Sequence, residues 1–344
     1  MNSRFLESQV VLVPGASAPA GINTIKSLKM SNFSGKIVAT DFTSLSAGFF
    51  MADVNEIMPE VDAHYYVKRL FEIVEKHHVR VLMPSSGYDI YPYSENREAL
   101  AKIGATAVVS DRDTLEICRD KLLTYKKMSG KYSLPFTTAD PDKVKSFPVI
   151  AKPRFGKGSR DVIKVNNEAD LKYIAANSTN TIFQEFLPGV EYTIDVLSDM
   201  NKNPLLAVPR IRLQTKAGIS TKGRIIRDAD LETNCMNMAR DIGIRGPSCI
   251  QMKESSEEQL KLIEINSRLG GGTIFSTLAG ANIPSMILEM LSGAHIDPPR
   301  VSEITVIRFY EEIVIENGEW DRDRDRRNKD VTESNLLSKP RLAE

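Results

Sequence analysis

Toward the C-terminal third, the run Leu262-Ile263-Glu264-Ile265-Asn266-Ser267-Arg268-Leu269-Gly270-Gly271-Gly272 combines the residue types of a metal and phosphate site. Strand side chains alternate between faces, so Glu264, Asn266 and Arg268 share one face while Ile263 and Ile265 turn to the core. The preceding strand-like segment Cys249-Ile250-Gln251-Met252 and the turn-rich stretch from Lys253 to Glu258 predict a hairpin that brings Gln251 onto that surface. Gln251, Glu264 and Asn266 are then oxygen donors of the kind a hard divalent cation takes: one carboxylate, amide oxygens, and room for substrate phosphates. Arg268 ligates no metal, but its fork of donors suits a phosphate or carboxylate beside one. An amphipathic edge strand with a solvated polar face fits a bare E-x-N-x-R equally well, so the rest of the chain must decide.

Upstream, Phe147 to Pro153 reads as an apolar strand ending in Lys152, and Arg154-Phe155-Gly156-Lys157-Gly158-Ser159-Arg160 as a basic, glycine-punctuated loop before a strand at Asp161 to Val165. Such a loop is a lid that closes over polyphosphate, or else a hairpin tip charged for solubility. Thr181 to Leu187, Pro188-Gly189 and Val190 to Val196 read as strand, turn and strand. They would form a hinge beside a planar ligand, with backbone groups at Glu185 and Leu187 reading an adenine edge and Glu191 reaching ribose hydroxyls. Glu191 and Asp195 also fit as outward-facing strand residues. Arg210 and Arg212 share a strand face, followed by Lys222, Arg224 and Arg227; contacts to ATP or an anionic substrate stand beside a solvated face. The three glycines, ahead of a helical Ile274 to Ala279, offer amides to a substrate carboxylate, or serve as a flexible connector.

Elements to position these groups are legible further toward the N-terminus. Strand-like Gln9 to Val13, Lys36 to Asp41 and Val79 to Met83 alternate with helical Gly21 to Met30 and Tyr65 to His77, the pattern of a parallel sheet wrapped by helices. The small-residue turn Gly15 to Gly21 is not a P-loop, since no Lys-Ser or Lys-Thr follows. Asp41 would suit a ribose hydroxyl in a nicotinamide oxidoreductase, the rival reading. Against it, the glycines depart from G-x-G-x-x-G and no tyrosine has a lysine four positions on, so tight-turn packing is preferred. Asp111 to Met128 is a long helical pattern, capped by Ser110 or Asp111 and interrupted at Cys118-Arg119-Asp120-Lys121.

At 344 residues the chain should divide into two or three domains. Its 45 basic and 45 acidic residues cancel, which excludes bulk attraction to nucleic acid or an anionic membrane, so affinity for polyanions must be local. Cys118, Cys235 and Cys249 form an odd set without metal-ligand spacing, as expected of a reducing cytoplasm. No apolar run reaches spanning length, and Met1-Asn2-Ser3-Arg4 has no signal-peptide core behind it. A soluble cytoplasmic protein is the expectation. The stretch 317–344, with Asp321-Arg322-Asp323-Arg324-Asp325-Arg326-Arg327, should be a charged, disordered tail.

In order and spacing, these motifs from Val10 to about Glu316 resemble the ATP-grasp superfamily, and within it a single synthetase domain of the carbamoyl-phosphate synthetase large subunit. The resemblance implies an α/β ATP-grasp fold with a doubly wound, parallel-sheet N-terminal domain (1–110), a small lid domain (111–187) and a C-terminal α+β domain (188–316). It implies that Lys121, Lys152, Gly156, Lys157, Gly158 and Ser159 grip nucleotide phosphates, Glu185, Phe186 and Leu187 form the adenine hinge, and Glu191 meets the ribose. Gln251, Glu264 and Asn266 match the magnesium ligands, and Arg268, with Lys152 and Arg210, the catalytic cations. Glutamine where many members carry glutamate leaves one less negative charge beside the metal. The resemblance extends to one synthetase unit, without a second ATP-grasp half, a glutaminase or a regulatory domain, so a complete carbamoyl-phosphate synthetase is not expected. The implied activity is carboxylate-amine ligation through an acyl phosphate, with ATP and magnesium (manganese as a substitute), small-molecule carboxylate and amine substrates, and a homodimer as an admissible assembly. The alternatives are a carbamate- or carboxyphosphate-forming unit and a non-catalytic ATP-binding regulatory subunit.

Overall fold

Continuous apolar runs in the first third pair as parallel strands covered on both faces. The computed structural model describes residues 9–156, 158 and 160–315; Lys157, Ser159 and the expected tail at 317–344 lie outside the described residues. The chain divides into Met1–Arg308 and Phe309–Glu344, and the elements below belong to the first unit. Strands β1 (Val10–Pro14), β2 (Lys36–Asp41), β3 (Val54–Ile57), β4 (Val81–Leu82) and β5 (Thr106–Ala107) form a parallel sheet in the order β3-β2-β1-β4-β5. Val11 and Val13 pack with Ile25 and Leu28 of α1 (Pro19–Lys29). Leu12 faces the other way, onto Leu70 and Ile73 of α2 (Tyr66–Lys76), with Tyr93 of α3 (Ile90–Glu95) and Leu100 of α4 (Arg97–Lys102) in the same cluster. With helices on both faces, the strand needs no polar side, which is why it reads as an unbroken apolar run. The strand order reverses between β1 and β4, and crevices at such switch points open outside the carboxyl ends of the strands.

The helical pattern from 111 to 128 is two helices, α5 (Arg112–Arg119) and α6 (Lys121–Met128), broken where Asp120 adopts φ −95°, ψ 104°. There the Asp120 carboxylate accepts from the amides of Leu122 (3.0 Å) and Leu123 (3.2 Å), capping α6, and from the Arg154 guanidinium (Nε at 2.8 Å). That double grip sets Lys121 at the first turn of α6. An antiparallel sheet follows, β6 (Thr137–Thr138), β7 (Val149–Pro153), β8 (Ile163–Val165) and β9 (Thr181–Glu185), in the order β6-β9-β7-β8, with Leu171 of α7 (Glu168–Asn177) packed onto it.

A larger antiparallel sheet completes the unit: β10 (Glu191–Ser198), β11 (Pro204–Lys216), β12 (Ile219–Ile225), β13 (Gly246–Glu254), β14 (Leu260–Asn266) and β15 (Thr305–Ile307), ordered β14-β13-β10-β11-β12-β15. Helix α8 (Ala229–Ile242) buries Leu231, Cys235 and Met238 against Ile194, Val196 and Ile250. Val208 and Ile225 belong instead to the cluster that holds Phe275 of α9 (Thr273–Leu278), Ile287 of α10 (Ile283–Leu291) and Ile25 of α1. Ser27 on α1 shares a hydrogen bond with Thr277 on α9 (2.8 Å), and Asn282 Nδ2 donates to the Ser27 carbonyl (2.6 Å). Through α1, the switch point of the first sheet is therefore held against the last one. Among the described residues, no helix is long and apolar enough to cross a membrane.

Candidate active site

A cavity of about 200 Å³ lies between the four-stranded sheet and strands β10, β13 and β14. Lys152, at the end of β7, is buried and donates to Gln184 Oε1 on β9 (2.7 Å), while Gln184 Nε2 donates to Thr137 Oγ1 (2.9 Å). Burial pulls the Lys152 ammonium down to about 8 against the opposing charges of Glu264 and Glu191, and Lys121 pushes it the same way. Lys121 donates to the Gly156 carbonyl (3.2 Å), and Gly158 and Arg160 line the same space. Across the cavity stand Glu185, Phe186, Leu187 and Glu191. The Glu185 amide donates to the Phe136 carbonyl (2.8 Å) and its carboxylate pairs with Lys261 (2.6 Å). Of the expected hinge groups, the Glu185 amide is thus committed to the residue just before β6. Lys164 Nζ lies 4.3 Å from the centre of the Phe186 ring.

The floor is the β13–β14 hairpin. Gln251 pairs with Glu264 and Cys249 with Asn266, so the expected hairpin brings the three proposed metal ligands together. One expectation is corrected. The register slips between Gln251 and Met252, so that Met252 faces Leu262 and Ile263 is the extra residue of a bulge. Leu262 and Ile265 therefore enter the core, whereas Ile263, expected to face inward, lines the cavity beside Glu264. Asn266 Nδ2 donates to Glu264 Oε1 (3.0 Å), and Arg268 reaches Asn266 Oδ1 (3.4 Å) and the Leu269 carbonyl (2.9 Å). Among the described residues no group of three His, Cys, Asp or Glu could hold a metal. This donor set of one carboxylate and two amides fits magnesium, which takes few protein carboxylates, better than a metal wanting several.

A second cavity, of about 310 Å³, shares Gly158, Gln251 and Glu264 with the first. Its walls are Ala18 to Ala20 after β1, Ser85 to Tyr88 after β4, the β11–β12 hairpin, and Asn266 to Gly272. The crevice at the N-terminal switch point thus opens onto the strand of the proposed metal ligands. The three glycines are clamped rather than loose. Asn23 Nδ2 (2.8 Å) and Arg308 donate to the Gly271 carbonyl, and Arg210 to the Gly272 carbonyl (3.1 Å). Because C=O and N–H oppose each other across a trans peptide plane, the clamps turn the Gly272 amide away from Asn23 and Arg308. A Cβ on Gly272 would lie 2.4 Å from Arg210 Nη2, and one on Gly270 2.4 Å from Cys249 Sγ; at Gly271 it would meet only ordinary contacts.

Arg210 lines this cavity, but its Nη1 is committed to Asp195 (2.9 Å) and to Gly272, and its guanidinium stacks 5.3 Å from the Phe275 ring centre. Asp195 also accepts from Ser276 Oγ (2.7 Å) and from the Cys249 thiol (3.0 Å), whose proton burial and that carboxylate hold far above the usual range. Arg210 is a support for the glycine turn before it is a free cation. Lys222, Arg224 and Arg227 are exposed, Arg227 paired with Glu232 (2.7 Å), so the second half of the basic run is a solvated face. Asp41, offered to a ribose in the nicotinamide reading, accepts instead from the amides of Ser17 (2.7 Å) and Thr43 (3.2 Å). The turn it closes is tight: Gly15 has φ +68°, and a Cβ on Gly21 would lie 2.2 Å from the Gly15 carbonyl oxygen. Asp195, offered as an outward-facing strand residue, is instead buried among Arg210, Ser276 and Cys249. Asn23, Gln184 and Arg308 went unmarked in the sequence, because each acts through a partner that only folding supplies.

Residues 16–109 match the family described as PylC-like, N-terminal domain, and residues 177–313 match ATP-grasp in the biosynthetic pathway with Ter operon. An uncharacterized protein of Mycoplasma genitalium is 34% identical over 97 residues, which cover 27% of this chain and 34% of that protein. The biotin carboxylase domain of Hydrogenobacter thermophilus 2-oxoglutarate carboxylase, solved as a dimer with MgADP, ADP and bicarbonate, superposes with TM-score 0.68 and 15% identity over 86% of this chain and 71% of its own. N5-carboxyaminoimidazole synthetase of Staphylococcus aureus with ADP gives 0.66 and 15% over 85% and 80%. Rhizobium etli pyruvate carboxylase gives 0.65 and 16% over 84% of this chain, which spans only 29% of that longer protein. At such identities the superpositions speak for the fold. Together with the two family matches, they describe an ATP-grasp domain preceded by a PylC-like N-terminal domain.

Proposed function

We propose that this enzyme is an ATP-dependent carboxylate-amine ligase that works through an acyl phosphate, releasing ADP and phosphate. The observation that carries the reading is the shared wall. Gln251 and Glu264 line both cavities, so one strand face stands between a space gripped by lysines and one lined by arginines and glycine amides. Lys121, Lys152 and the loop through Gly156, Lys157, Gly158 and Ser159 would hold the phosphates, the Glu185 carbonyl and Leu187 amide the adenine edge, and Glu191 the ribose. Gln251, Glu264 and Asn266 would hold magnesium, with manganese as a substitute, once a half-turn of the Asn266 amide presents its oxygen. A metal there supplies charge neutralisation to the phosphate oxygens.

A substrate carboxylate docks on Arg268 and the Gly271 and Gly272 amides, with Arg210 bracing that turn. Its oxygen attacks the γ-phosphorus and ADP departs; the amine nitrogen then attacks the acyl carbon and expels phosphate. The protein's part is positioning and electrostatics, with no protein nucleophile required. The loop over the phosphates keeps water from the acyl phosphate. A second reading takes bicarbonate as the carboxylate, in line with the bicarbonate-bound carboxylase domain that shares the fold. A cavity of about 310 Å³ is larger than bicarbonate fills, which favours a bulkier acid.

The test is carboxylate-dependent ADP release over a panel of acids and amines, with hydroxylamine as a trap. The expected result is a hydroxamate that requires MgATP and one class of acid, and its loss in Arg268→Ala while that variant still binds MgADP. Phosphate release triggered by bicarbonate alone would move the assignment to the carboxyphosphate reading. Tight nucleotide binding without turnover across the panel would move it to a regulatory subunit.

A further inference from the structure

Arg212 stands between the two cavities. Its Nη1 donates to Glu191 Oε1 at 2.6 Å, and its Nη2 to the Gly218 carbonyl at 2.7 Å. Glu191 lines the first cavity, whereas Arg212 and Gly218 line the second. The side chain is only 6% exposed, and its Nε is buried with no partner among the described residues. A charge so placed depends on the two partners it has, since little water reaches the guanidinium itself.

Gly218 belongs to the tip of the β11–β12 hairpin. Lys216 pairs with Ile219, and the two residues between them, Ala217 (φ 48°) and Gly218 (φ 74°), are both left-handed, as a two-residue type I′ turn requires. This tip reaches the glycine loop over the first cavity: a Cβ on Gly158 would lie 3.5 Å from the Ala217 carbonyl oxygen. One guanidinium therefore ties the carboxylate at one end of the nucleotide space to the hairpin that walls the other space. Only a planar fork can serve both partners at once; a lysine presents a single charged centre and would satisfy one.

We propose that Arg212 is a positioning residue that couples nucleotide binding to closure of the second cavity. Ribose hydroxyls on Glu191 immobilise its carboxylate, the carboxylate holds Arg212, and Arg212 holds the hairpin tip over the bound acid. The proposal rests on the nucleotide reading of the first cavity. Coupling of this kind is reciprocal, so an occupied second cavity also tightens the nucleotide.

Amide hydrogen exchange of residues 213–222, with nucleotide affinity measured separately by calorimetry, tests it. MgADP should slow exchange at the hairpin of the wild-type protein at least about fivefold, the lower end of typical coupling. 2′,3′-Dideoxyadenosine diphosphate keeps adenine and phosphates but lacks the hydroxyls; it should bind and leave the hairpin largely unprotected. Arg212→Lys should bind MgADP and lose the protection. Equal protection by the two nucleotides, unaltered protection in Arg212→Lys, or calorimetric binding of MgADP with no change at the wild-type hairpin would each overturn the coupling. Absence of any MgADP binding would instead overturn the nucleotide reading itself, and the coupling with it.

Discussion

The two cavities differ in how far along the chain their walls were gathered. Apart from Lys121, the first is built from stretches at 150–191 and 251–264, each a strand or loop whose composition already advertises its chemistry. The second draws on the turns after β1 and β4 of the N-terminal sheet, the β11–β12 hairpin and the glycine turn, and its clamp from Asn23 to Gly271 spans 248 positions. Local strings can specify a phosphate grip, because the ligand is generic and a lysine on a strand end suffices. Recognition of one particular acid is a matter of which distant surfaces meet, and that is decided by helix α1 packing on α9 and α10.

The contrast breaks most visibly at the wall the cavities share. Glu264→Gln deletes the only carboxylate among the three proposed ligands, and carboxylate-dependent turnover should fall by about a hundredfold or more, the usual cost of about 3 kcal/mol for a lost transition-state electrostatic group. The melting temperature should stay close to wild type. Near-normal turnover from the folded variant would show that the two spaces do not meet at a metal.

A smaller effect separates the glycines. Gly272→Ala places its Cβ 2.4 Å from Arg210 Nη2, an overpacking that should cost about 1–3 kcal/mol in urea unfolding. It should also raise the KM for the acid while leaving MgADP affinity alone. Gly271→Ala, with 3.5 Å to Pro19 Cβ, should stay within about 0.5 kcal/mol of wild type. If both unfold alike, the turn is not clamped as described.

The smallest effect belongs to the first cavity alone. Phosphate favours the charged Lys152, so its pKa rises in the complex above the value of about 8 in the free protein. Nucleotide affinity should therefore be flat below that pH and weaken as pH rises through it, by at most tenfold per unit. Lys152→Met should bind more weakly at every pH and lose this slope; an unchanged slope would assign the titration elsewhere.

Much of the fold was legible. Strand-like Gln9 to Val13 and Lys36 to Asp41, alternating with helical patterns, announced a parallel sheet, and the charges at Cys118 to Lys121 marked an interruption in the helical pattern, but not that Asp120 caps a second helix there. The β13–β14 hairpin was legible too, with its two partners Gln251 and Glu264. The bulge that turned Ile263 outward was not, because strict alternation assumes an unbroken ladder and one extra residue reverses every side chain beyond it. The basic segment divided in a way no charge count foretells: Arg210 and Arg212 were drawn inward by Asp195 and Glu191, while Lys222, Arg224 and Arg227 stayed in water.

By itself the sequence determined the kinds of groups present and their order: a lysine at a strand end, a glycine loop, one carboxylate between amides, an arginine, and three glycines. Those follow from residue chemistry and short-range periodicity, which act within a few positions. Only the tertiary structure decided which of these groups are free to meet a ligand and which are already spent on one another. The Asp195–Arg210 and Glu191–Arg212 pairs and the Asn23 clamp exist because buried polar groups must find partners, and the partner is whichever surface the packed core brings within reach.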